Sequence, residues 1–93
     1  MTTIANKNAR AYVEALKEFK GSNLWAEQRG NFYVVFSYRY SWPLVAFDGA
    51  RWHINTEKYS VSTSKHLSQC RPLLDASETI QCNTAGLRKL VNI

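Results

Sequence analysis

The spacing of apolar residues changes character several times along the chain. Over residues 3 to 20, Ala5, Ala9, Tyr12, Val13, Leu16 and Phe19 recur at helical intervals, a single stripe that predicts an amphipathic helix. Thr2 or Thr3 can cap its start, Gly21 can supply a left-handed residue at its end, and Lys17 and Lys20 fall in the last turn, where the helix dipole favours cations. Lys7, Arg10 and Glu14 then form its outer face, either as solvated surface or as a basic helix offered to nucleic acid.

From Leu24 the period becomes two. Leu24 to Arg29 predicts a strand, and Gly30-Asn31 a turn. Phe32 to Tyr40 follows with bulky side chains on both faces, the pattern of a central strand. Pro43 cannot donate to a ladder and biases Trp42 towards extended backbone, so 40–43 reads as a loop. Leu44 to Phe47 and Arg51 to Asn55 predict two strands joined through Asp48-Gly49, a strong hairpin signal. A helix begins near Ser64, with Thr63 or Ser62 as its cap. It ends by Arg71, because the residue before Pro72 is pushed out of the helical region. Glu78 to Cys82 predicts a last strand. Ala85 to Val91, capped by Asn83 or Thr84, predicts a last helix with Leu87, Leu90 and Val91 inward. The expected fold is a single α+β domain over 1–93: a mainly antiparallel sheet of four or five strands, packed with an N-terminal helix and two short C-terminal helices.

Composition sharpens this picture. The chain has 93 residues, 45% hydrophobic and 13% aromatic, which argues for a folded core and against disorder. A net charge of +5 favours acidic partners, nucleic acid among them. The N-terminus lacks an apolar signal region, and no apolar run approaches the roughly 18 residues of a membrane span, so a cytoplasmic protein without a membrane role is expected, with Cys70 and Cys82 as free thiols.

Candidate chemistry concentrates between Tyr59 and His66. Ser62, Thr63 and Ser64 precede Lys65 and His66 where the second helix starts. Free N–H groups, hydroxyls and a cation on one turn can hold a phosphate, although the hydroxyls can equally serve the helix's own backbone. Around it, Arg39, Tyr40, Trp42, Arg51 and Tyr59 interleave rings with cations. Such surfaces bind single strands by stacking, or form protein–protein hot spots. His66 and Cys70 share a helix face, with His53 and Cys82 elsewhere, but a structural zinc site needs two tight pairs and only one is present. Adjacent residues in a helical turn diverge, so His66 and its neighbouring hydroxyls do not pre-form a nucleophile–base pair. No P-loop, dinucleotide fingerprint, nucleophile elbow or zinc-protease motif occurs. No cofactor is expected.

The run Tyr59-Ser60-x-Ser62-Thr63-Ser64-Lys65-His66 resembles a motif of a family of short, mostly phage-encoded proteins of unknown function, Tyr-Ser-x-Ser/Thr-Thr-Ser-Lys/Arg-His. Phe36-Ser37-Tyr38, Pro43-Leu44-Val45-Ala46 and Asp48-Gly49 resemble the hairpin that precedes it, so that the likeness spans roughly residues 32 to 72. The resemblance implies a phage or prophage origin and a small αβ domain; it supplies no reaction and no catalytic residues. The resulting expectation is a non-enzymatic phage accessory protein that binds nucleic acid. The alternative is a phage protein that binds and inhibits a host or defence protein.

Overall fold

The computed structural model describes residues 2–57, 60–73 and 78–92. Among these residues seven strands form one sheet in sequential order: β1 (Thr2–Thr3), β2 (Phe19–Lys20), β3 (Leu24–Arg29), β4 (Phe32–Ser37), β5 (Arg39–Phe47), β6 (Trp52–Asn55) and β7 (Thr79–Cys82). The four central pairings are antiparallel, whereas β1 with β2 and β6 with β7 run parallel. Parallel neighbours need a crossover. Helix α1 (Ala9–Glu14), entered through a 3-10 turn at Asn6–Asn8, lies in the first crossover, and α2 (Val61–Cys70) in the second. Helix α3 (Thr84–Val91) follows β7.

The helices divide between the two faces of the sheet. Ala9 and Val13 of α1 and Cys70 of α2 pack with Phe19, Leu24, Tyr33, Val35, Val45 and Ile54. Leu87 and Val91 of α3 pack with Val34, Phe36 and Ala46 on the opposite face. Val34 and Val35 therefore serve different cores, as the two-residue period of a central strand requires. The α+β class agrees with the sequence reading. The sheet exceeds the expected four or five strands because the two-residue strands β1 and β2 carry too little pattern to be read, and its two parallel pairs make it mixed.

The first helix is shorter than its stripe. It stops at Glu14, and Leu16 takes a φ of 57°. The Leu16 amide donates to the Val13 carbonyl and the Lys17 amide to the Tyr12 carbonyl, the paired bonds of a Schellman ending with leucine where glycine is usual. Phe19 still enters the core, but from β2, and Lys17 and Lys20 lie outside the helix. Thr2 and Thr3 form β1 instead of a cap. Arg10 does not stay on a solvated face: its guanidinium donates to the Ser68 and Arg71 carbonyls at the end of α2, where a helix end welcomes a cation.

Residues 40–43 are a second correction. The strand runs through them, but its ladder with β4 shifts register twice, once between Val35 and Phe36 and again between Phe36 and Ser37. Pro43 sits buried opposite Phe36. Its missing N–H falls at the irregularity, and its carbonyl accepts from the buried Asn55 side chain at 2.9 Å. The same Asn55 amide donates to Thr84 Oγ1 at 2.8 Å, tying β5 and β6 to the first turn of α3. Trp42, which the sequence places in a loop, is half-buried against the core.

Candidate nucleic-acid interface

Where β4 passes into β5, the chain turns on one residue. Ser37 pairs with Arg39, and Tyr38 between them has a φ of 67°. Positive φ is uncommon for any side chain and an outlier for a bulky one. The Tyr38 amide is held by the Asn23 carbonyl at 2.9 Å, and the residue is 44% exposed. One face of that ring stacks on His66, with centroids 5.3 Å apart and planes at 28°. His66 is in turn fixed by Ser37, whose Oγ lies 2.8 Å from Nδ1. Burial, and then the neighbouring Lys65 ammonium, hold the imidazole pKa below its usual 6.5. Ser37 and His66 are both buried, and Nε2 of His66 has no hydrogen-bond partner among the described residues.

Tyr38 is the shared wall of two clefts. On the α2 side, a hollow of about 230 Å³ is lined by Ser62, Lys65, His66 and Gln69 together with Asn6, Ser22 and Asn23. On the α3 side, a hollow of about 280 Å³ is lined by Arg39, Ser41, Trp42, Thr84 and Arg88. Among the described residues Lys65, Arg39 and Arg88 form no ion pair, and Arg29 is the only Lys or Arg that does, with Glu27 at 2.7 Å. The surface therefore offers unneutralised cations on both sides of an exposed ring, which suits an anionic ligand with planar groups.

The sequence-predicted site is thus partly assembled and partly dispersed. Ser62, Lys65 and His66 reach one cleft, and Arg39 and Trp42 the other. The hydroxyls of Ser62 and Thr63 do not cap the helix: the cap of α2 is Ser60, whose Oγ accepts from the Thr63 amide at 3.1 Å, so Ser62 and Thr63 fall in the first turn and Lys65 and His66 lie further along the helix. Thr63 is buried, and with Ser64 it borders a separate hollow beside Leu44 and Arg71. Tyr40 joins another aromatic group, edge-on to Trp25 and Phe36, with its hydroxyl donating to Glu27 Oε2 at 3.2 Å. Arg51 is exposed beside the β5–β6 turn. Tyr59 lies outside the described residues.

Sequence reasoning missed Tyr38 as the centre and Arg88 as a contributor. Arg88 carries no signal beyond its place on the outer face of a helix. Tyr38 sits in what reads as an unbroken strand, with no glycine or asparagine to announce positive φ.

Other chemistry finds less support. Ser37 and His66 have the spacing of a nucleophile and base, but the Ser37 side chain is shut away from solvent and no carboxylate bonds the imidazole among the described residues. His53 is engaged by Asp48, with Nε2 and Oδ2 2.8 Å apart. That bond, followed by the Arg51 and Ala50 amides, holds the Asp48 pKa down at about 2. Cys70 is a buried free thiol whose pKa burial pushes up to about 12, and Cys82 is a second free thiol raised by burial. No group of three or more His, Cys, Asp or Glu among the described residues is placed to hold a metal ion. Among those residues no helix is long and apolar enough to cross a membrane.

Compared with protein-family models, curated proteins and solved structures, the chain matches none. Its surface has to be read from its own chemistry.

Proposed function

We propose that this is a non-enzymatic binding protein whose ligand is nucleic acid, held on the surface centred on Tyr38. The observation that carries the reading is the placement of an exposed ring between two clefts whose cations, Lys65 on one side and Arg39 with Arg88 on the other, are not neutralised by any acidic partner among the described residues. Cations beside phosphates release condensed counterions, and rings add a contact that any base can make. The net charge of +5 acts in the same direction at long range. The likeness of the Tyr59–His66 run to phage-encoded proteins supports an accessory protein working in the cytoplasm of an infected cell.

Fluorescence anisotropy with labelled oligonucleotides over a salt series tests this. Wild type should bind at low salt with a steep log–log dependence. Lys65→Ala and Arg88→Ala should each weaken binding and each lower the slope by roughly 0.7 to 0.9. Absence of binding at low salt, or affinities that ignore salt and both substitutions, would defeat the proposal. A host or defence protein recovered from nuclease-treated lysate, and released by the same substitutions, would then replace nucleic acid as the partner.

A further inference from the structure

We infer that the nucleic acid taken by this surface is single-stranded, with one unpaired base stacked on the free face of Tyr38 and the backbone running on into the clefts at either side. The inference rests on the binding reading above and narrows it to a substrate class.

The first support is that the ring is held in place before any ligand arrives. Ser37 fixes the His66 imidazole through Nδ1, and that imidazole backs one face of the Tyr38 ring. The Tyr38 amide is anchored on Asn23. A ring supported on one face, in a residue 44% exposed, is a stacking platform that needs little ordering on binding. The second support is conformational. A tyrosine occupies a positive-φ position where glycine or asparagine would be less strained. Strain of this kind persists where the side chain has a use.

The third support is the chemistry of the flanks. In the α2-side cleft, which Gln69 also lines, Lys65 can donate to a phosphate. In the α3-side cleft Arg39 and Arg88 stand near the hydroxyls of Ser41 and Thr84, a donor set fit for the next phosphate. A duplex keeps its bases stacked on one another and would meet only the cations. A single strand can use ring and cations together.

The test uses the full chain, with anisotropy of a labelled oligothymidine and of its duplex with oligoadenosine. The single strand should bind more tightly. Tyr38→Gly, which removes the ring where the backbone conformation suits glycine, should weaken single-strand binding by about 5- to 150-fold and leave duplex binding nearly unchanged. Tyr38→Phe should retain the single-strand affinity. In the wild type, the Tyr38 ring protons should shift on addition of the single strand and not of the duplex, a readout independent of whether a variant folds. Equal or tighter duplex binding, or Tyr38 resonances unmoved by a bound single strand, would overturn the single-strand inference while leaving the nucleic-acid reading intact. Failure to bind either probe at low salt would remove both.

Discussion

The amide of Tyr38 donates to the carbonyl of Asn23 at 2.9 Å, and both residues have positive φ, 67° and 55°. The bond extends the β3–β4 ladder one step beyond the pair formed by Leu24 and Ser37, at the end where both strands turn away. Two left-handed residues thereby brace each other. One consequence is local: the tyrosine ring projects between the helix layers instead of lying on one face of the sheet. The other is energetic, because the strain at each position is borne by a shared hydrogen bond.

This arrangement predicts an unusual order of stability at position 38. Glycine relieves the backbone and gives up the stack on His66, so Tyr38→Gly should have a denaturation midpoint close to wild type. A β-branched residue gives up the stack and resists positive φ. Tyr38→Val should therefore fall about 1–2 kcal/mol below Tyr38→Gly in urea unfolding. The reverse order would mean that contacts of the side chain, not the backbone, decide the conformation.

His66 predicts a pH dependence. Its folded pKa is held below the free value of about 6.5 by burial and by Lys65. The residues lining its cleft include no other titrating cation and no acid, and Tyr38 is the remaining ionisable group. As pH falls below about 6.5, the unfolded chain takes up the proton first, so it binds more protons than the folded one and stability declines. The decline ends once pH passes below the folded pKa. Urea midpoints should drop as pH falls through about 6.5 in wild type, and less steeply in His66→Asn, whose amide can still reach Ser37 but does not titrate. Any gain in anion affinity from protonating His66 should likewise appear only below about pH 6.5. Parallel slopes for the two proteins would exclude His66 as the titrating group.

Ser60 should behave as the cap of α2. Its Oγ accepts from the Thr63 amide at 3.1 Å. Ser60→Ala should then cost about 1 kcal/mol, whereas Ser62→Ala, on the exposed surface inside the first turn, should fall within roughly 0.5 kcal/mol of wild type. Thermal melts of the two variants compare them directly. A larger loss from Ser62→Ala would restore the cap to the position that the hydroxyl run first suggests.

That displacement shows what the sequence could and could not convey. Four hydroxyl residues lie between Ser60 and Ser64, and each has the chemistry of a cap. Only the start of α2 in three dimensions decides among them. Strands β3, β6 and β7 and helix α3 were legible because alternation, the Asp48-Gly49 turn and the Asn83 cap agree locally. The end of α1 was not, because Leu16 carries a conformation usually marked by glycine. The site was legible as a collection of residue types. Its centre was hidden, since Tyr38 reads as strand and the approach of Arg88 from the far face of the sheet depends on tertiary packing.

Gly21 offers a last check on the turn that supports this site. The sequence suggests a helix-ending glycine, but α1 stops earlier and Gly21 has no positive φ. What requires glycine is close approach. A Cβ at position 21 would overlap Asn6 Oδ1 and come within 3.1 Å of the Leu24 carbonyl oxygen. Asn6 cannot swing aside freely, because Oδ1 accepts from the Ser22 amide at 2.8 Å and Nδ2 donates to the Ser22 carbonyl at 2.9 Å. Gly21→Ala should break that pair and cost about 1–3 kcal/mol. Asn6→Ala removes the obstacle together with its two bonds, so the double variant should lose less than the two single losses added together. Urea unfolding of the four proteins closes the cycle. Strict additivity would show that Asn6 is not what excludes a side chain at position 21, and would leave the Leu24 carbonyl as the obstacle.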